Sequence, residues 1–264
     1  MGSLSLSFET LLLERVDRVA VITINRPDKR NALNAAVRRE IVEALDGLRN
    51  DDDVRVVLFT GAGDKAFIAG ADIAEFAERT PLQQRELMWH RSVFEEIADF
   101  AKPTIAMING FALGGGCELA LACDLRVAAR SARLGQPEIR LGIIPGGGGT
   151  QRLPRLVGPG RALRMILTGE MVSADEAYAS GLVDVVFEDA DLRAHTLALA
   201  ANMAAFSPVA LRLAKSAVRA AMETPLSAGL RYERELFITA FASDDKREGI
   251  AAFLEKRNAD FRGC

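Results

Sequence analysis

A chain of 264 residues that is 49% hydrophobic and 26% charged has the balance of a globular protein with a substantial buried core, not of a disordered or membrane-spanning one. Its formal net charge of −3 supplies no broad basic field for nucleic acid or an acidic membrane, so an anionic ligand has to be met locally. Cys117, Cys123 and Cys264 have no framework spacing and suit reduced packing thiols in a cytoplasm, and His90 and His195 lack zinc-ligand spacing.

Met1 to Arg15 holds a short apolar stretch interrupted by Glu9 and Glu14, with no basic leader and no small-residue cleavage pattern, so no export signal is expected. Gly2 fails the myristoylation pattern because Leu6 stands where Ser or Thr is needed. Arg18 to Asn25 reads as a buried strand, since Val19, Val21, Ile22, Thr23 and Ile24 form a mostly β-branched run that Pro27 ends. Asn34 then caps a helix on which Val37, Ile41, Leu45 and Leu48 recur at helical spacing up to Asp51. Strands are expected at Val54–Thr60, Thr104–Ile108, Leu125–Ala129 and Val183–Phe187, and helices at Gly115–Cys123, Gly148–Leu156 and Ala174–Ala179. That alternation predicts α/β layers over residues 1–190. From 191 to 264 the pattern is helical throughout, with segments at Leu192–Phe206, Pro208–Met222, Pro225–Ala242 and Asp245–Asn258. Leu236, Phe237, Ala240 and Phe241 give this region an apolar face that can pack on its own core or against another subunit.

Gly61-Ala62-Gly63-Asp64-Lys65-Ala66 follows a strand and imitates a dinucleotide-binding fingerprint, but Ala66 to Ala71 looks extended and turn-rich where the fingerprint requires a helix. No Gly-Lys-Ser/Thr phosphate loop and no Gly-x-Ser-x-Gly elbow occurs. In Gly110-Phe111-Ala112-Leu113-Gly114-Gly115-Gly116-Cys117-Glu118-Leu119, glycines join a strand end to an apolar helix. The first amides of such a helix lack intrahelical acceptors and can hold an anion or a developing oxyanion, though a tight turn alone explains the glycines equally well. Glu118 lies in the first turn of that buried helix, as a dipole partner or as a site residue. Glu138, in Leu134-Gly135-Gln136-Pro137-Glu138-Ile139, reads alone as a cap or ion-pair residue. Two carboxylates in one apolar pocket would be different, because their surroundings can split their proton affinities into acid and base roles.

Ala69-Gly70-Ala71-Asp72, the Gly114 to Glu118 run, Gln136-Pro137-Glu138 and Gly148-Gly149-Thr150-Gln151-Arg152-Leu153 stand in the order and approximate spacing of the crotonase, or enoyl-CoA hydratase/isomerase, family, which this chain resembles. Asn25-Arg26-Pro27, Asn31-Ala32-Leu33 and Phe253-Leu254-Glu255-Lys256-Arg257 extend the likeness over almost the whole chain. The resemblance implies a spiral core of ββα units followed by a helical oligomerisation region, usually in trimers or dimers of trimers. It implies hydration of a trans-2-enoyl-CoA to a 3-hydroxyacyl-CoA, in fatty-acid β-oxidation or related acyl-CoA degradation, with coenzyme A as part of the substrate and neither cofactor nor metal.

Carried over by position, the resemblance puts the oxyanion hole on the backbone N–H groups of Ala71 and Gly115 and the two catalytic glutamates on Glu118 and Glu138. It puts coenzyme A near Arg30, Ala32, Ala69, Asp72 and Ile73, with Phe237 and Lys256 approaching from a neighbouring subunit. Many relatives carry lysine where this chain has Ala74, which departs from the family's phosphate contacts on that side. Isomerases of the family typically keep one acid/base carboxylate, near position 138, so two glutamates favour the hydratase over an isomerase. RNA-binding and non-catalytic members form the alternative from another class, which the acidic balance and the glutamate pair oppose.

Overall fold

Strands with apolar residues at nearly every position need cover on both faces, and a parallel sheet between helices provides it. In the computed structural model, which describes residues 8–264, six strands form one sheet: β1 (Leu11–Val16), β2 (Val19–Ile24), β3 (Val56–Gly61), β5 (Thr104–Ile108), β7 (Leu125–Ala129) and β10 (Val185–Phe187), adjacent in that order. β1 and β2 form an antiparallel hairpin and the remaining neighbours are parallel. A second sheet pairs β4 (Ala66–Ile68), β6 (Phe111–Leu113), β8 (Arg133–Gly135) and β9 (Met171–Ser173), in that order. The expectation of neither an export signal nor an acylation site at residues 1–7 lies outside the described residues.

β3, β5 and β7 each run on into β4, β6 and β8, and the two sheets keep the same strand order, so successive units stack side by side as a spiral of ββα repeats. The first turn of this spiral carries α2 (Ala74–Ala77), α3 (Pro81–Trp89) and α4 (Val93–Ala98). The second carries α5 (Gly115–Ala122), and the third a 3-10 segment (Pro137–Leu141), α6 (Gly149–Val157) and α7 (Pro159–Thr168). The Gly61–Lys65 glycine turn leads into a strand and not a helix, and a Cβ at Gly61 would lie 2.2 Å from the carbonyl oxygens of Ala66 and Phe67. That close approach accounts for the fingerprint-like glycine without a nucleotide.

α1 (Ala35–Arg49) starts as expected: the Asn34 side chain accepts from the Val37 N–H at 2.9 Å, and Val37, Ile41, Leu45 and Leu48 are buried. Every residue of α5 is buried, Glu118 included. After α8 (Ala174–Ala179), α9 (Leu192–Ala204) packs across β2, β3, β5, β7 and β10 through Leu192, Thr196, Ala200 and Ala204. The helical region thus begins with an element that completes the α/β core. Beyond it, α10 (Pro208–Ala220) is tied down by Lys215, whose Nζ meets Asp124 at 2.6 Å, while α11 (Leu226–Phe241) packs chiefly on α10. α12 (Asp244–Glu255) is held by Asp245, buried and accepting from Ser207 Oγ at 2.6 Å and from the Arg262 and Gly263 amides. No single described helix is long and apolar enough to cross a membrane.

Candidate active site

The 26–33 loop supports the first part of the site. Asn31, buried and in the left-handed region at φ 59°, accepts from the Arg26 N–H and donates to the carbonyls of Ala62 and Ala66, which ties the loop to the β3–β4 turn. Leu33 then forms a parallel bridge with Ala71: its N–H donates to Gly70 O at 2.9 Å and its carbonyl accepts from Asp72 N at 3.0 Å. In such a bridge the opposing residue points its own N–H the other way. For Ala71 that direction is towards Gly115, where a Cβ would lie 3.5 Å from the Ala71 nitrogen.

Gly115 is the first residue of α5, so its N–H has no intrahelical acceptor. The preceding Gly114 turns the chain at φ 50°. A Cβ at Gly116 would meet Ile68 O at 2.0 Å, so α5 approaches β4 backbone to backbone, which brings Gly115 close to Ala71. Two preorganised N–H donors at a helix start can stabilise an oxygen that gains negative charge.

The glutamates lie against the same turn. Glu118 Oε1 accepts from Gly147 N at 2.6 Å and Gly149 N at 2.9 Å, at the start of α6. Burial raises its proton affinity, and the two amides and the Arg152 charge work against that rise. Glu138 Oε1 lies 2.9 Å from where a Cβ of Gly114 would be. Burial pushes its pKa up to about 7, with the Glu118 charge adding to the effect. Cys117 is pushed up to about 12 by burial, and then by Glu118 and Glu138. The pair is thus electrostatically unequal: burial raises both, but one carboxylate is held by amides and a cation, while the other titrates at about 7.

Arg30, Ala32, Ala69, Asp72 and Ile73 gather along the Leu33–Ala71 bridge. Ala69 N donates to Arg30 O at 3.1 Å, and Asp72 pairs with Arg26 at 3.0 Å while Arg26 Nη1 donates to Ala32 O. The Asp72 carboxylate thus has a partner within the chain, and Ile73 is exposed. Phe237 and Lys256 are also exposed, on α11 and at the end of α12. They do not join the cluster within one chain.

Four further residues belong to this region. The buried Gln136 side-chain amide faces the Glu138 carboxyl, 3.0 Å from Oε1 and 3.2 Å from Oε2. Arg152 Nη1 donates to Gly147 O at 3.0 Å. The Phe94 ring abuts Gly147, and Met88 lies beside Gly146, so the 76–97 segment flanks the glycine loop next to Ile143 and Ile144. Gln136 and Arg152 stand inside the motifs that carry the family resemblance, which was their visible signal. Phe94 had none.

A spiral of ββα units that sets paired amides beside an unequal carboxylate pair defines a crotonase-fold enzyme site. The sequence profile described as enoyl-CoA hydratase/isomerase matches residues 14–264. The chain is 44% identical to the crotonyl-CoA hydratase of Syntrophomonas wolfei (97% of this chain, 99% of that protein) and 46% identical to the 2,3-dehydroadipyl-CoA hydratase of Escherichia coli (96% and 98%). A crystal structure of an enoyl-CoA hydratase from Bacillus anthracis superposes with a TM-score of 0.93 at 41% identity, covering 97% of this chain and 100% of that one. The chain belongs to the enoyl-CoA hydratase/isomerase family.

Proposed function

We propose that this chain hydrates trans-2-enoyl-CoA thioesters at Glu118 and Glu138, with the Ala71 and Gly115 amides as oxyanion hole. It is an enoyl-CoA hydratase of acyl-CoA degradation. The observation that supports the residue assignment is the unequal pair, Glu118 held by two amides and Glu138 raised to about 7, beside the close approach of Gly115 to the Ala71 nitrogen.

Water sits between the carboxylates. Ionised Glu118 takes its proton as the oxygen attacks Cβ, and the electron pair of the double bond moves onto the thioester oxygen. The two amides stabilise that enolate by several kcal/mol, as oxyanion holes do. Protonated Glu138 then delivers a proton to Cα on the same face, and water's proton ends on Glu118. The step is redox-neutral and needs no cofactor beyond the coenzyme A of the substrate.

Arg30, Ala32, Ala69, Asp72 and Ile73 border the coenzyme along the bridge, and residues 191–264 complete the site across subunits. Exposed Phe237, Ile238, Phe241, Phe253 and Leu254 support a trimer or dimer of trimers in which Phe237 and Lys256 reach a neighbour's coenzyme. The buried free thiols Cys117 and Cys123 suit a cytoplasmic enzyme. The test is the ultraviolet absorbance of a short enoyl thioester, which falls as its conjugated double bond is hydrated. An unchanged trace with intact protein counts against the activity, and undiminished turnover in Glu118→Gln or Glu138→Gln counts against the assignment.

A further inference from the structure

Behind Glu118 stands a cation that the reaction above does not use. Arg152 is the fourth residue of α6, and its side chain folds back to the helix N-terminus, where Nη1 donates to the Gly147 carbonyl at 3.0 Å. A cation at that end opposes the helix dipole. The guanidinium is also half-buried and makes no ion pair within 4.0 Å among the described residues. Burial and then Arg219 press its proton affinity down, while Glu118, Glu95 and Asp99 hold it up. Neither feature favours folding by itself, and negative charge on Glu118 relieves both.

Gly147 is gripped from two sides: its N–H donates to Glu118 Oε1 at 2.6 Å and its carbonyl accepts from Arg152. A Cβ at Gly147 would lie 2.7 Å from Glu118 Oε2, and one at Gly148, where φ is 106°, would lie 2.2 Å from Arg152 Nη1. The loop is therefore stripped of side chains where the carboxylate and the guanidinium press on it. Resting on the hydration reading above, we propose that Arg152 is a positioning residue. By holding the Gly147 carbonyl it fixes the residue whose N–H Glu118 accepts, and its charge keeps Glu118 the carboxylate that receives the proton from water.

The other charges nearby do not replace it. Glu118 is faced by Glu138 from the 3-10 segment and by Arg152 from α6. Arg152 is faced by Glu118 from α5, Glu95 and Asp99 from α4 and its end, and Arg219 from α10. Asp99 is engaged by Arg91 at 2.6 Å and Arg219 at 3.4 Å, and Glu95 accepts from Ser92 N at 2.7 Å. Without Arg152, Glu118 keeps only its two amide donors against burial.

The experiment follows kcat/KM against pH, on a short 2-enoyl-CoA, for the full-length protein and its Arg152→Gln and Arg152→Lys variants. Arg152→Gln is expected to move the acid limb up by about one pH unit, a loss of about tenfold on the acid side, and Arg152→Lys to bring the limb back. An active Arg152→Gln variant with an unmoved limb overturns the proposal, whatever its plateau rate. Should Arg152→Gln be too unstable to assay, the same replacement in the Glu118→Gln background decides. A smaller loss of Tm there than in the parent supports a direct coupling of the two side chains, and an equal loss overturns it. Parent protein with no turnover on any enoyl-CoA would instead sink the hydration reading, and the Tm comparison would still judge Arg152.

Discussion

Glu138 has been left in surroundings that favour its neutral form, and this has consequences for both rate and stability. Replacing either glutamate by glutamine removes a proton-transfer group, so kcat is expected to fall by about 10²–10⁴-fold in the absorbance assay. The kcat/KM of the parent should fall with a basic limb near 7, where Glu138 loses its proton in the free enzyme. Folding responds to the same group. Its folded-state pKa of about 7 lies above the 4.5 of an unperturbed glutamate, so the stability it contributes is fully present below 4.5 and is lost as the pH rises through about 7. Glu138→Gln has no such loss. It should therefore raise stability at pH 8 by about 1–2 kcal/mol after discounting for partial exposure, while leaving it nearly unchanged at pH 4, as denaturant unfolding at the two pH values would reveal. Equal effects at both would mean that Glu138 is not held neutral.

Among the elements, α5 and its approach to β4 govern the oxyanion hole. A methyl at Gly116 would meet the Ile68 carbonyl at 2.0 Å and Ile68 Cβ at 2.7 Å, and backbone cannot step aside as the end of a flexible side chain can. Gly116→Ala is therefore expected to push α5 off β4 and draw the Gly115 amide away from Ala71, lowering kcat at least about tenfold. Asn34→Ala, which removes a cap remote from the chemistry, should cost about 1 kcal/mol with kcat unchanged. Measured together, the two separate a loss of geometry from a loss of stability. The longer elements were legible from sequence because their patterns are long: β5, β7 and α8 begin and end where the residues predict. The three-residue strands β4, β6, β8 and β9 were not, since three residues show no period and owe their pairing to neighbours far along the chain. α3 was missed as well, because none of its residues is buried and its apolar positions form no stripe.

For the molecule as a whole, the unpartnered apolar face of the last helices matters most. Phe237, Phe241, Phe253 and Leu254 are 66%, 54%, 82% and 74% exposed, an apolar display that supports the proposed assembly. Phe237→Asp with Phe253→Asp is expected to lower the sedimenting mass and, under the proposed assembly in which Phe237 and Lys256 serve a neighbour's coenzyme, to raise KM for acyl-CoA severalfold. A parent that sediments as a monomer would remove the basis for both.

What the sequence determined by itself was the residue types and their local settings: a buried apolar helix opening on glycines, a carboxylate in its first turn, another after a proline, and a cap at Asn34. These are local properties, and residue spacing is enough to read them. The chain also belongs to its family by motifs that span nearly its full length. Only the tertiary structure decided that Ala71 and Gly115, 44 positions apart, come together, a Cβ at Gly115 lying 3.5 Å from the Ala71 nitrogen. It likewise decided that Glu118 is held by the start of a helix 31 residues on, and that burial raises the proton affinity of Glu138. Burial and the direction of an N–H depend on which strands pair and what packs over them, and no window of sequence contains both partners.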